Sequence, residues 1–158
     1  MQETFEVVLV LHNVRSAHNV GSILRTADAV GVSRVFFTGY TPAPLDRFGR
    51  VQKEVAKTAL GAEHTVLWEK RTLLSALVTS LRKKGFSTVA LEQAPRAVDY
   101  RAFALRSPTA FILGNEVRGI DARSLRLCDT IVEIPMRGRK ESLNVSVAAG
   151  VLLFRVVD

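Results

Sequence analysis

The sequence predicts an α/β protein with a mostly parallel sheet flanked by helices. Short runs rich in valine, isoleucine and phenylalanine alternate with stretches whose apolar residues recur at helical spacing. Strands that alternate with helices build parallel sheets, because each helix returns the chain to the edge where the next strand starts. A further pattern concerns function. Three polar clusters fall where an apolar run gives way to a helix-like stretch, and such corners are where open α/β sheets bind ligands.

Residues 5–11 form a compact valine-rich run, as a buried strand does. Val20, Ile23, Leu24, Ala27 and Val30 then follow helical spacing, with Asn19 placed to cap the helix and Gly31 to stop it. Arg34–Thr38 is a second strand. Two prolines and two glycines make 39–50 an irregular loop. Residues 53–60 read as a short helix ending at Gly61, and 65–68 as a short strand. An amphipathic helix spans 71–84 and is closed by Gly85. Strands follow at 88–91, at Thr109–Leu113 and at 130–134. Between them lie a mixed, basic connection at 93–107 and a short helix at 121–127. Residues 142–157 form the closing helix.

A length of 158 residues fits a single domain over 1–158, with no accessory RNA-binding domain expected. The 47% hydrophobic and 23% charged fractions are those of a globular chain, not a disordered one. Twenty-two basic residues outnumber 15 acidic ones for a net charge of +7. That surplus points to a polyanionic partner, most simply nucleic acid, although a basic surface also serves solubility alone. Cys128 is the only cysteine, which excludes an internal disulfide and a thiolate zinc cluster and fits a reducing cytosol. It reads as a small apolar residue. The opening Met1-Gln2-Glu3-Thr4 carries no basic run, so no signal peptide is expected. The apolar stretch 145–157 is too short to span a bilayer. The expectation is a soluble, cytoplasmic protein that needs neither membrane nor metal.

The first polar cluster runs from Asn13 through Arg15, Asn19, Gly21 and Arg25 to Ala27. The second is Leu113-Gly114-Asn115-Glu116-Val117-Arg118-Gly119. The third runs from Ile134-Pro135-Met136 through Arg137, Arg139 and Lys140 to Ser142-Leu143-Asn144 and on to Ala149. Together they resemble motifs 1, 2 and 3 of the SPOUT methyltransferases, in the SpoU/TrmH branch of RNA ribose 2′-O-methyltransferases. The resemblance covers nearly the whole chain, and Thr58-Ala59-Leu60-Gly61-Ala62-Glu63 is similar to a further segment common in that family. It implies a C-terminal deep trefoil knot, S-adenosyl-L-methionine as cofactor, an RNA substrate (tRNA or rRNA) and a homodimer with an active site drawn from both chains. Periodicity alone supports only a generic α/β sheet, since knots are very rare among folds.

Carried onto this sequence, the resemblance assigns catalysis to Arg25, Asn19, Glu116, Ser142 and Asn144. Arginine is always protonated and a poor base, so Arg25 is better suited to hold a phosphate and stabilise charge on the attacking oxygen. A helix-surface salt bridge is the competing reading. Asn19 can cap a helix as well as present its amide to the ribose. Glu116 organises the site by hydrogen bonds, with pairing to Arg118 or Arg123 as its alternative. Leu91, Gly114, Ile134, Met136, Ser142 and Leu143 are the cofactor-binding candidates, with apolar walls for the adenine. The second cluster lacks the Gly-x-Gly-x-x-Gly spacing, which counts against a nicotinamide cofactor. Asn13, Arg15, Gly21, Arg137, Arg139 and Lys140 are the substrate-binding candidates. Gly21 would let backbone approach a phosphate at the positive helix end, and the three basic residues suit RNA phosphates. Two other classes remain open: a non-catalytic RNA-binding module that retains the fold, and an enzyme acting on small phosphorylated molecules.

Overall fold

The computed structural model of the chain describes residues 3–157. Its strands are β1 (Val7–His12), β2 (Arg34–Thr38), β3 (Trp68–Lys70), β4 (Ser87–Leu91), β5 (Val98–Asp99), β6 (Thr109–Leu113) and β7 (Thr130–Glu133). Its helices are α1 (Ala17–Val30), α2 (Lys53–Ala59), α3 (Ala62–Thr65), α4 (Leu74–Lys83), α5 (Ala122–Leu125) and α6 (Val145–Val156). The strands form one sheet in the order β3-β2-β1-β6-β4-β7-β5, and every adjacent pair is parallel. The predicted α/β class and parallel sheet are therefore what the chain adopts. Because all strands point one way, their C-terminal ends share one edge, and the strand-to-helix corners open there.

Both faces of the sheet are covered, so the inner strands are apolar on both sides. Leu9, Leu11, Phe37, Val89, Phe111, Leu113 and Val132 face one core, which α1, α2 and α6 close. Their neighbours Val8, Val10, Phe36, Ala90, Ala110, Ile112 and Ile131 face the other, beneath Leu74, Leu77, Val78 and Leu81 of α4. Cys128 belongs to this second core, where burial pushes its thiol up to about 11 and leaves it an inert apolar filler.

Several boundaries differ from the sequence reading. The cap of α1 is Ser16, not Asn19: the Ser16 hydroxyl accepts the Asn19 N–H at 3.2 Å, one turn earlier than predicted. Gly31 stops the helix as expected, in a left-handed conformation with φ of 86°. Of the strand predicted at 65–68, only Trp68 is in a strand. Gly61 starts the single turn of α3, and the strand begins at Trp68 in register with Val35. The helix predicted from 71 begins at Leu74, because the Arg71 N–H is still bonded to the Phe37 carbonyl of the neighbouring strand. The basic connection 93–107 contributes β5, a two-residue edge strand beside β7. Ser142 lies outside the last helix, which Asn144 caps by accepting the Ser146 N–H.

Gly21 has a packing role. It is buried where α1 meets α2, and a β-carbon there would lie 2.0 Å from Thr58 Oγ1 and 2.3 Å from the Val55 carbonyl. The space reserved for an approaching phosphate in the sequence reading is filled by α2. Among the described residues, no helix is long and apolar enough to cross a membrane, and no group of three or more His, Cys, Asp or Glu is placed to hold a metal ion.

Candidate active site

The corner after β1 is built around Asn13, which takes a left-handed conformation with φ of 56°. Asparagine tolerates that region better than most residues. Its Oδ1 accepts the Tyr40 N–H at 3.2 Å, and Gly39 must be glycine because a β-carbon there would lie 1.8 Å from that same oxygen. Asn115, just past β6, locks the corner from the other side. Its Nδ2 donates to the Asn13 carbonyl and to the Tyr40 hydroxyl, both at 3.0 Å. Its Oδ1 accepts the N–H groups of Val117 and Arg118, which folds 115–119 into a tight turn. Gly119 at φ of 65° closes that turn against Glu92, whose carboxylate accepts the Ile120 N–H at 2.9 Å.

Glu116 is the hub. Its carboxylate accepts the N–H groups of Arg15 (3.1 Å) and Ser16 (3.0 Å) and Nδ2 of Asn19 (3.3 Å). Burial opposes its charge, but the Ser16 N–H, its own N–H, the Arg15 N–H and the Asn19 amide outweigh that and hold the carboxyl below its ordinary range. A carboxylate in that state only accepts, so Asn19 must turn its Nδ2 toward Glu116. Asn19 Oδ1 is left to accept Nδ2 of Asn144 at 3.2 Å. Asn144 Oδ1 then accepts the Ser146 N–H at 2.9 Å and the Ser146 hydroxyl at 2.6 Å. One directional chain of bonds thus ties the 115–119 turn to the starts of α1 and α6. Asn19 is free to join it because Ser16 has taken over the cap.

A cavity opens at the C-terminal ends of β4, β6 and β7. Leu91, Gly114, Ile134, Met136, Ser142 and Leu143, the six cofactor-binding candidates, all line it, as does Glu116. Gly119, which with Gly114 suits a tight backbone turn around a cofactor, lines it too; Glu92, Gln93, Leu113, Asn115, Val117, Glu133, Val145 and Ala148 complete the lining and are not singled out by the sequence as cofactor-binding residues. Glu92 and Glu133 sit at strand ends on the ligand edge, a position that any strand prediction marks for inspection. Gln93 Nε2 donates to the Glu141 carbonyl at 2.8 Å and pins the 134–143 loop beside the cavity.

The remaining candidates are placed differently. Arg25 is exposed on α1, is not among the cavity-lining residues, and its side chain makes no hydrogen bond or ion pair among the described residues. Arg137, Arg139 and Lys140 are exposed on the loop whose Met136, Ser142 and Leu143 line the cavity. Arg15 lies with Tyr40, Asn115, Glu116, Val117 and Arg118 around a second cleft.

A parallel sheet covered on both faces, with a cavity and a network of amides and one carboxylate at its strand ends, is an α/β architecture of the class that takes its ligands at this edge. The chain belongs to the SpoU rRNA Methylase family, whose sequence model matches residues 6–154. It is 39% identical over 151 residues to a 23S rRNA (guanosine-2′-O-)-methyltransferase, RlmB, of Ralstonia nicotianae, covering 96% of this chain and 58% of that protein. An AdoMet-bound rRNA methyltransferase from Sinorhizobium meliloti superposes with a TM-score of 0.87 at 29% identity, covering 97% of this chain and 56% of that one. The TrmH/SpoU tRNA-modifying enzyme of A. aeolicus superposes with a TM-score of 0.82 at 27% identity, over 98% of this chain and 74% of that one. The chain thus spans a little over half the length of the Ralstonia and Sinorhizobium proteins.

Proposed function

We propose that the chain is an S-adenosyl-L-methionine-dependent methyltransferase acting on a ribose 2′-OH of rRNA or tRNA. The observation that carries this is the single cavity in which all six cofactor candidates meet, beside the Glu116–Asn19–Asn144 chain. The cavity fits the cofactor chemically. Leu91, Leu113, Ile134, Leu143 and Val145 offer apolar walls for an adenine, and Glu92, Glu116 and Glu133 place carboxylates around it in a protein of net charge +7. A cationic sulfonium with an ammonium group matches that local acidity. When bound, the cofactor supplies an electrophilic methyl group. Glu116, Asn19 and Asn144 then set the shape and polarity of the corner where the ribose enters. Arg25 holds a backbone phosphate and the negative charge that builds on O2′ as its proton passes to solvent water. Calorimetry on the purified chain is expected to show S-adenosylmethionine and S-adenosylhomocysteine binding without added metal. No heat at millimolar ligand, with and without RNA, overturns the reading.

The same reading includes one domain over 1–158, the trefoil knot, a cytoplasmic location with its RNA, and a homodimer. Two features support the dimer. Arg25 is exposed on α1 and does not line the cavity of its own chain, so its side chain is open to a site on a second copy. On α6, Val147 and Phe154 are 51% and 57% exposed and, with the half-buried Val151 between them, follow i, i+4, i+7 spacing along one face. Light scattering is expected to give about twice the chain mass of 17.4 kDa, and Phe154→Glu to return it to the monomer mass. A monomer at every concentration contradicts the dimer and the shared site with it.

A further inference from the structure

The second cleft is lined by Arg15, Tyr40, Asn115, Glu116, Val117 and Arg118, of which Tyr40, Val117 and Arg118 have been given no part in binding substrate or cofactor. It adjoins the cofactor cavity directly, since Asn115, Glu116 and Val117 line both. A ribose presented to the cofactor carries a base on one side and a 5′-phosphate on the other. Both must find room within a few bonds of the reacting oxygen.

We propose that this cleft takes the base and 5′-phosphate of the target nucleotide, with the Tyr40 ring stacking on the base and Arg15 and Arg118 meeting the phosphates. The inference rests on the methyltransferase reading and deepens it by naming a substrate-positioning residue. Tyr40 is 57% exposed as a residue, yet both its ends are held: its N–H by Asn13 Oδ1 and its hydroxyl by Asn115 Nδ2. An exposed aromatic face fixed in place before binding is a stacking platform that loses little freedom when a base arrives. Bases of every kind have a π-face, so the platform positions the nucleotide without choosing its sequence. The cleft is also cationic. Among the described residues, neither Arg15 nor Arg118 has an ion-pair partner, whereas Glu116 already accepts three N–H groups from the corner. Val117, 93% exposed, adds apolar surface to the lining. A surface tyrosine that merely anchors Asn115 would need its hydroxyl but not an open ring.

The chain has two tyrosines, Tyr40 and Tyr100, so 3-fluorotyrosine labelling yields two fluorine resonances, assigned with Tyr40→Phe. The four nucleoside 5′-monophosphates, with and without saturating S-adenosylhomocysteine, are expected to shift the Tyr40 line saturably and leave the Tyr100 line in place. Ribose 5-phosphate, which offers the arginines a phosphate but gives Tyr40 no base, should move the Tyr40 line far less than the nucleotides do, and Arg118→Ala should weaken the nucleotide titration. A Tyr40 line that no nucleotide moves, or that ribose 5-phosphate moves as far, overturns the proposal. In single-turnover methylation of RNA, Tyr40→Ala is expected to lose about 5- to 150-fold in kcat/KM, with cofactor affinity unchanged. Tyr40→Phe should keep most of the rate, and native turnover by Tyr40→Ala also overturns the proposal. A wild-type chain that binds no cofactor defeats the methyltransferase reading instead, and the fluorine titration, which needs no turnover, still decides the cleft.

Discussion

Replacing Arg25 with alanine is expected to slow methyl transfer about a hundredfold to a thousandfold, on the order of 3–4 kcal/mol, as for loss of one oxyanion donor. Cofactor affinity should stay as it is, because Arg25 does not line the cavity. Arg25→Lys should be severely impaired as well. Lysine keeps the charge but not the planar fork that bridges a phosphate and a developing alkoxide. Leu143 substitutions should do the opposite and weaken cofactor binding first, since Leu143 does line the cavity. Single-turnover rates on a verified RNA, beside cofactor titrations, make the comparison. Mixing Arg25→Ala chains with chains inactivated at Leu143 adds a sharper readout: a shared site regains activity in the mixed dimers, and a site within one chain does not. Near-native methylation by Arg25→Ala would mean that the side chain is a surface arginine and nothing more.

Gly21→Ala should unfold the protein more easily, against what helix propensity alone says. In an open helix interior the change gains about 1 kcal/mol. Here the new methyl meets Thr58 Oγ1 at 2.0 Å, the Val55 carbonyl at 2.3 Å and the Ala59 nitrogen at 2.9 Å. Two of the three are backbone atoms of α2, so no rotamer relieves the clash and the whole helix must shift. Overpacking of that kind costs about 3 kcal/mol, which for a domain of this size lowers Tm by about 6–12 °C. Gly150→Ala is the matched control. Its nearest heavy atom is Thr26 Cγ2 at 3.8 Å, an ordinary contact, so propensity decides and the isolated fold gains slightly. Thermal melts of the two variants separate packing from propensity. A Gly21→Ala protein as stable as the parent would show that α2 is free to move.

What was legible in the chain were features with a local cause. The bounds of β2 and β6 coincide with the predicted ones, because each is a buried apolar run bracketed by residues that break strands. The end of α1 at Gly31 was equally plain. Strand β5 was not, since a two-residue edge strand carries no periodicity, and neither was the sheet order, which no local pattern encodes. Asn19 looked like a cap because it directly precedes the first apolar residue of the pattern. Only the fold reveals that Ser16 takes that bond and releases Asn19 to Glu116, 97 residues away. The cavity residues were within reach because strand ends and family motifs coincide. Tyr40 was not, because it sits in a Pro- and Gly-rich loop where nothing in the spacing distinguishes a held ring from a loose one.

The directional chain from Glu116 through Asn19 and Asn144 to Ser146 constrains which sequences can inhabit this corner. Each amide is oriented by the group before it, so the residues at 19, 116 and 144 form a set with only a few compatible spellings. Asp at 19 would face one carboxylate with another, while Gln at 116 would remove the anion that now dictates which way Asn19 turns. Positions 19 and 144 lie 125 residues apart in the chain, yet the way one amide turns fixes the way the other must turn to meet it. A lineage or a designer altering the polarity of this corner has to change at least two distant residues in one step, or pass through a sequence in which like groups confront each other.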